Sequence, residues 1–149
     1  MRLTRGADYG ARGVVYLAKR PPDTVALVGD IASAEDLPSS YLAKIFQSLV
    51  KEGILRSHRG AKGGFSLERP AEEITLLEVI EAVDGPIGLC PCLVPSQGCE
   101  KMDTCALYPV LAEAQEQMLK VLESRNFDYL AANDGDGYLD ISAERDASS

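Results

Sequence analysis

Apolar positions recur along the chain in two rhythms. Ala11, Val14, Val15 and Ala18 repeat at three- and four-residue spacing, which predicts a first helix capped by Thr4 and stopped at Pro21-Pro22. A second short helix is expected around Leu27, Val28, Ile31 and Ala32, and a third from about Ser39 to Glu52, with Leu42, Ile45, Phe46 and Leu49 inward and Gly53 at its end. Beyond Gly53, Ile54–His58 and Gly64–Glu68 read as two short strands around the glycine-rich tip Arg59-Gly60-Ala61-Lys62-Gly63. A fourth helix opens at Thr75, carries Leu76, Val79, Ile80 and Val83, and ends at Asp84-Gly85-Pro86. From about Leu107 to Arg125, Leu107, Leu111, Ala114, Met118 and Val121 step by 4, 3, 4 and 3 residues and mark one face of a long helix, which serves equally as a burial face or as a dimer seam. Helix, short helix, helix and basic hairpin is the order of a winged helix-turn-helix.

The expected fold is therefore mainly α with a small β-hairpin. It divides into a winged helix-turn-helix domain over residues 1–70, a region 71–132 holding the fourth helix, a cysteine loop and a long C-terminal helix, and a flexible acidic tail over 133–149. Asp134-Gly135-Asp136-Gly137 hints weakly at calcium, since Arg145 stands where a loop-closing glutamate is needed.

Charge sharpens this division. The 149 residues carry a net charge of -8, but residues 1–70 hold 11 Lys and Arg against 7 Asp and Glu, whereas residues 71–149 hold 4 against 16. A basic first half suits phosphates and an acidic second half must face away from them. No apolar run reaches the ~20 residues needed to cross a bilayer, and the expected location is cytoplasmic with no membrane partner. Candidate contacts to double-stranded DNA are Arg2, Thr4, Ser39, Ser40, Tyr41, Lys44 and Gln47, together with Arg59, Gly60 and Lys62 at the hairpin tip. Ser39 or Ser40 serves equally well as a helix cap and Lys44 as a solvated charge. His58, beside the hairpin tip, fits a phosphate neighbour or an exposed residue better than a metal ligand.

All four cysteines, Cys90, Cys92, Cys99 and Cys105, fall within sixteen residues. Their soft thiolates suit an iron-sulfur cluster first, then zinc or a thiol switch. Pro86, Gly88, Pro91, Pro95 and Gly98 are expected to prevent a helix there and to leave amides free to bond sulfur. A small redox enzyme is disfavoured, because there is no glycine-rich nucleotide loop, no nucleophile and base pair, and one His.

Over about residues 1–132 the sequence resembles the IscR/NsrR-like winged-helix regulators, the Rrf-two family. The resemblance rests on Met1-Arg2-Leu3-Thr4 with Asp8-Tyr9, Leu37-Pro38-Ser39-Ser40-Tyr41-Leu42-Ala43-Lys44-Ile45, Leu49-x-Lys51-x-Gly53-Ile54-Leu55, Arg59-Gly60-x-x-Gly63-Gly64-Phe65 and three cysteines before the long helix. It implies a homodimeric, DNA-binding repressor, not an enzyme, whose long helix forms the dimer interface. It also implies an iron-sulfur cluster, two-iron or four-iron, on Cys92, Cys99 and Cys105, sensing nitric oxide, redox state or cluster supply. Where some members place a His as fourth ligand this chain has Tyr108; the nitric-oxide sensors use an Asp of the partner's first helix, and Asp8 stands at that position. Cys90 is the alternative fourth ligand. The competing reading keeps the fold and DNA target but senses through thiol oxidation or a thiol metabolite without a cluster.

Overall fold

In the computed structural model, the described residues are 3–94, 97–98, 100–101 and 103–135. They form α1 (Arg5–Ala18), α2 (Val28–Glu35), α3 (Ser39–Lys51), β1 (Leu55–His58), β2 (Gly64–Leu67), α4 (Leu76–Asp84), α5 (Leu107–Ser124) and α6 (Phe127–Asn133), with single 3-10 turns at Ala71–Glu73 and Pro91–Leu93. Mainly α with one hairpin is thus the fold, in the expected order. Arg2, Cys99 and the tail from residue 136, including Asp136 of the calcium hint, lie outside the described residues.

The buried face of α1 is not the apolar stripe of the sequence. Gly6, Ala7, Gly10, Gly13, Val14 and Leu17 are buried, whereas Ala11, Val15 and Ala18 only flank the core. The glycines let α3 and α4 approach closely: a Cβ on Gly13 would stand 2.5 Å from the Phe46 ring, and one on Gly10 would meet Ile45 and Val83. Thr4 caps α1 as expected, its hydroxyl accepting from the Ala7 amide at 3.1 Å.

The main core joins Val14, Leu17, Ile31, Leu42, Phe46, Leu49, Ile54, Leu55, Ile74, Val79 and Phe127. Phe127 is fully buried and belongs to α6, which the sequence periodicity did not predict. Its docking is tied by backbone bonds from Leu76 to Arg125 and from Phe127 to Ile74 at 2.9 Å each. The hairpin pairs Leu55 with Leu67 and His58 with Gly64, and the Ala26–Phe65 bridge adds a third extended segment to it. Gly64 has φ 144°, and a side chain there would run into the Ala26 carbonyl, so this junction requires glycine. Phe46 meets Phe65 edge-on at 5.1 Å between centroids, which fixes the hairpin to α3.

Helix α5 is different: none of its residues is buried. Met118, Leu119 and Leu122 pack on a small second core of Ala7, Ile80 and Ile87. Leu107, Val110 and Val121 stay exposed, so the sequence stripe of Leu107, Leu111, Ala114, Met118 and Val121 is split between a packed side and an open one.

Candidate nucleic-acid interface and cysteine loop

Helix α3 begins at Ser39 with Pro38 in the capping position and no side-chain cap. Neither Ser39 nor Ser40 is the cap, because proline already supplies an extended entry; both residues are exposed. Lys44, Gln47 and Lys51 are exposed as well, and Ser40, Lys44, Gln47 and Lys51 recur at helical spacing opposite the buried Leu42, Ile45, Phe46 and Leu49. This polar stripe is what a helix presents to a groove. Tyr41 leans the other way: its ring meets Tyr9 edge-on at 5.8 Å, and its hydroxyl lies beside Gly6. Thr4 is also engaged internally, donating to Asp84 at 2.6 Å.

At the hairpin tip Arg59, Gly60 and Lys62 are exposed, and the Gly63 amide donates to the Gly60 carbonyl at 2.9 Å, closing a tight turn that projects the two cations. His58 Nε2 sits 2.8 Å from the hydroxyl of buried Ser66. Arg56 and Glu68 form a two-bond pair at 2.7 and 2.8 Å. This hydrogen bond raises the Arg56 pKa and lowers that of Glu68. The pair takes Arg56 out of the free cations at the wing, leaving Arg59 and Lys62 as the tip charges.

The cysteine loop lies between α4 and α5. Cys90, Cys92 and Cys105 are each half-buried, and Cys90 and Cys105 are free thiols. Among the described residues no three His, Cys, Asp or Glu side chains converge on one point; Cys99 is outside that set. Soft thiolates on one short loop are nonetheless the donor chemistry that an iron-sulfur cluster takes. The expectation of a helix-free loop with free amides is corrected: Pro91–Leu93 forms a 3-10 turn, which tolerates proline at its start. Leu93 donates to Cys90 and Val94 to Pro91, at 3.0 and 3.2 Å. The Leu89 amide is also spent, on the Gln115 side chain of α5 at 3.0 Å, and the same side chain donates to the Leu93 carbonyl at 3.3 Å. Sequence reasoning missed Gln115, because a polar residue on a helix gives no signal of which loop it meets. Asp8, at the first turn of α1, pairs with Arg12 at 3.1 Å and is 41% exposed, so its carboxylate faces solvent. Tyr108, in place of a ligand histidine, is half-buried on the first turn of α5.

The Rrf2 model, described as an iron-dependent transcriptional regulator, matches residues 3–133. A Mycobacterium tuberculosis protein named as an HTH-type transcriptional regulator is 38% identical over 87 residues, 58% of this chain and 54% of its own length, so the chain spans about half of that relative. The oxidised form of Staphylococcus aureus CymR superposes with a TM-score of 0.71 at 26% identity, over 94% of this chain and 99% of that one. T. potens IscR shares the fold, with a TM-score of 0.72 at 20% identity over 97% and 96% of the two chains. A polar helix stripe, a basic wing and a match across nearly the whole described chain place this protein in the Rrf2 family of transcriptional regulators.

Proposed function

We propose that the chain works as a cytoplasmic homodimeric repressor whose hold on a DNA operator is set by the state of Cys92, Cys99 and Cys105. The observation that carries this reading is the position of the cysteine loop, between α4, which packs on α1 and α3 of the reading head, and the open-faced α5. Lys44, Gln47, Lys51, Arg59 and Lys62 take the phosphates and base edges. The exposed Leu107, Val110 and Val121 of α5 face a second copy, which places two reading heads on one palindromic site. When bound, an iron-sulfur cluster supplies a centre reactive toward nitric oxide and oxygen. The three thiolates would hold it, with Asp8 of the opposite protomer or Cys90 as the fourth ligand. For Asp8 to serve, its carboxylate must leave Arg12, an exposed pair of small worth. A hard carboxylate beside three soft thiolates is the weaker hold. The DNA-binding residues and the domain limits 1–70, 71–132 and 133–149 are part of this proposal.

The test is anaerobic purification followed by iron and sulfide analysis and a DNA-shift assay. Metal-bound protein whose operator affinity changes ~5–150-fold on cluster loss supports it, the span that ~1–3 kcal/mol of coupling produces. Protein without iron or sulfide, and with DNA binding unchanged in Cys92→Ala, overturns it. The free thiols of Cys90 and Cys105 favour a second reading, in which reversible thiol oxidation moves the same helices without a cluster. Mass spectrometry after mild peroxide distinguishes the two.

A further inference from the structure

We propose that Gln115 is the positioning residue of the cysteine loop and the link through which α5 follows it. The inference rests on the proposed role of the thiols as sensing groups. One amide side chain makes both contacts: Oε1 accepts from the Leu89 N–H at 3.0 Å and Nε2 donates to the Leu93 carbonyl at 3.3 Å. Leu89 and Leu93 bracket Cys90-Pro91-Cys92, so the two bonds span the segment that carries two of the four thiols. An amide is the side chain that offers an acceptor and a donor side by side, as this pair of backbone groups requires. Gln115 is half-buried, which strengthens both bonds and makes an unmet partner costly. One to two turns further along, Met118, Leu119 and Leu122 pack on the small core of Ala7, Ile80 and Ile87, where α5 meets α4. Motion of the loop is therefore passed to α5 at Gln115 and from α5 to the base of the reading head. Cys105 lies outside the bracket, before α5, and neither Gln115 bond reaches it.

The test uses metal-free protein with reduced thiols and follows alkylation of each cysteine by iodoacetamide under native conditions. Gln115→Ala is expected to raise the rates at Cys90 and Cys92 about tenfold, through local opening of the loop, and to leave Cys105 unchanged. Gln115→Glu keeps the acceptor for Leu89 but sets a carboxylate against the Leu93 carbonyl. Its amide exchange is expected to stay slow at Leu89 and to rise at Leu93-side groups, a pattern that mere loss of packing does not give. Equal acceleration at Cys90, Cys92 and Cys105, or none at Cys90 and Cys92, overturns the proposal. Because no metal and no DNA are present, failure here is separate from failure of the cluster reading. If the link to α5 holds, cluster-loaded Gln115→Ala also loses most of the change in operator affinity between loaded and unloaded states while binding DNA as tightly in the unloaded state.

Discussion

The reading head and α5 are built on opposite terms. The head closes a core together with α4 and α6, with Val14, Leu42, Phe46, Leu49 and Phe127 at or near zero exposure, whereas α5 buries no residue and leaves Leu107 and Val110 two-thirds exposed. One closes its apolar surface within the chain; on the other it is the proposed second copy that would cover the open side. The difference teaches where signal and stability are separated: substitutions in the buried core of the head should cost folding, and substitutions in the loop and α5 should cost response. The predictions below test that division.

The largest effect is expected at Gly13. Gly13→Val places branched carbon into the Phe46 ring, where even a Cβ stands at 2.5 Å. Overpacking of this kind costs ~1–3 kcal/mol and more where neighbours cannot yield. A urea melt should show a fall in midpoint with the slope unchanged. A variant as stable as the parent would mean that α1 can move away from α3, and that the head is not rigid.

Next comes Cys92→Ala, which is expected to leave the melting temperature within a few degrees while abolishing the response of DNA binding to nitric oxide or oxidant. A shift assay at two redox states measures it. Loss of folding instead would place the loop in the stability of the head. Lys44→Ala and Lys62→Ala follow. Each removes one cation from the candidate interface, and each should reduce the slope of log affinity against log salt by about 1 without changing stability. An unchanged slope would remove that residue from the interface.

These divisions were unevenly legible in the sequence. Helices α1 to α5 and the hairpin follow from periodicity and turn residues, because amphipathic spacing and glycine-rich tips act locally. The close side of α1 was hidden, since Gly6, Gly10 and Gly13 carry no apolar side chain to announce burial. Helix α6 was hidden for another reason: its seven residues are too short for a period, and only its docking on Ile74 through Phe127 stabilises it. Gln115 could not be found from one sequence, because its partners are backbone groups 22 and 26 residues away. The candidate ligands were legible as a cluster of thiols, but their arrangement depends on how the loop is tied.

The smallest effect should appear at the base of the wing. Glu68 has its pKa lowered by the hydrogen bond from Arg56, so the folded protein holds the carboxylate more strongly than the unfolded chain does. Its contribution is therefore fully present above the ordinary carboxylate pKa and disappears as pH falls through the lowered folded value. Both side chains are exposed and salt screens them, so the gain at neutral pH is slight. Comparing Glu68→Gln with the parent across pH 2–7, at low and high salt, isolates it. The difference in stability should be largest at neutral pH and low salt, and should vanish in acid. A difference that persists in acid would assign the effect of Glu68 to packing against the wing, and would join the hairpin to the head more tightly than charge alone does.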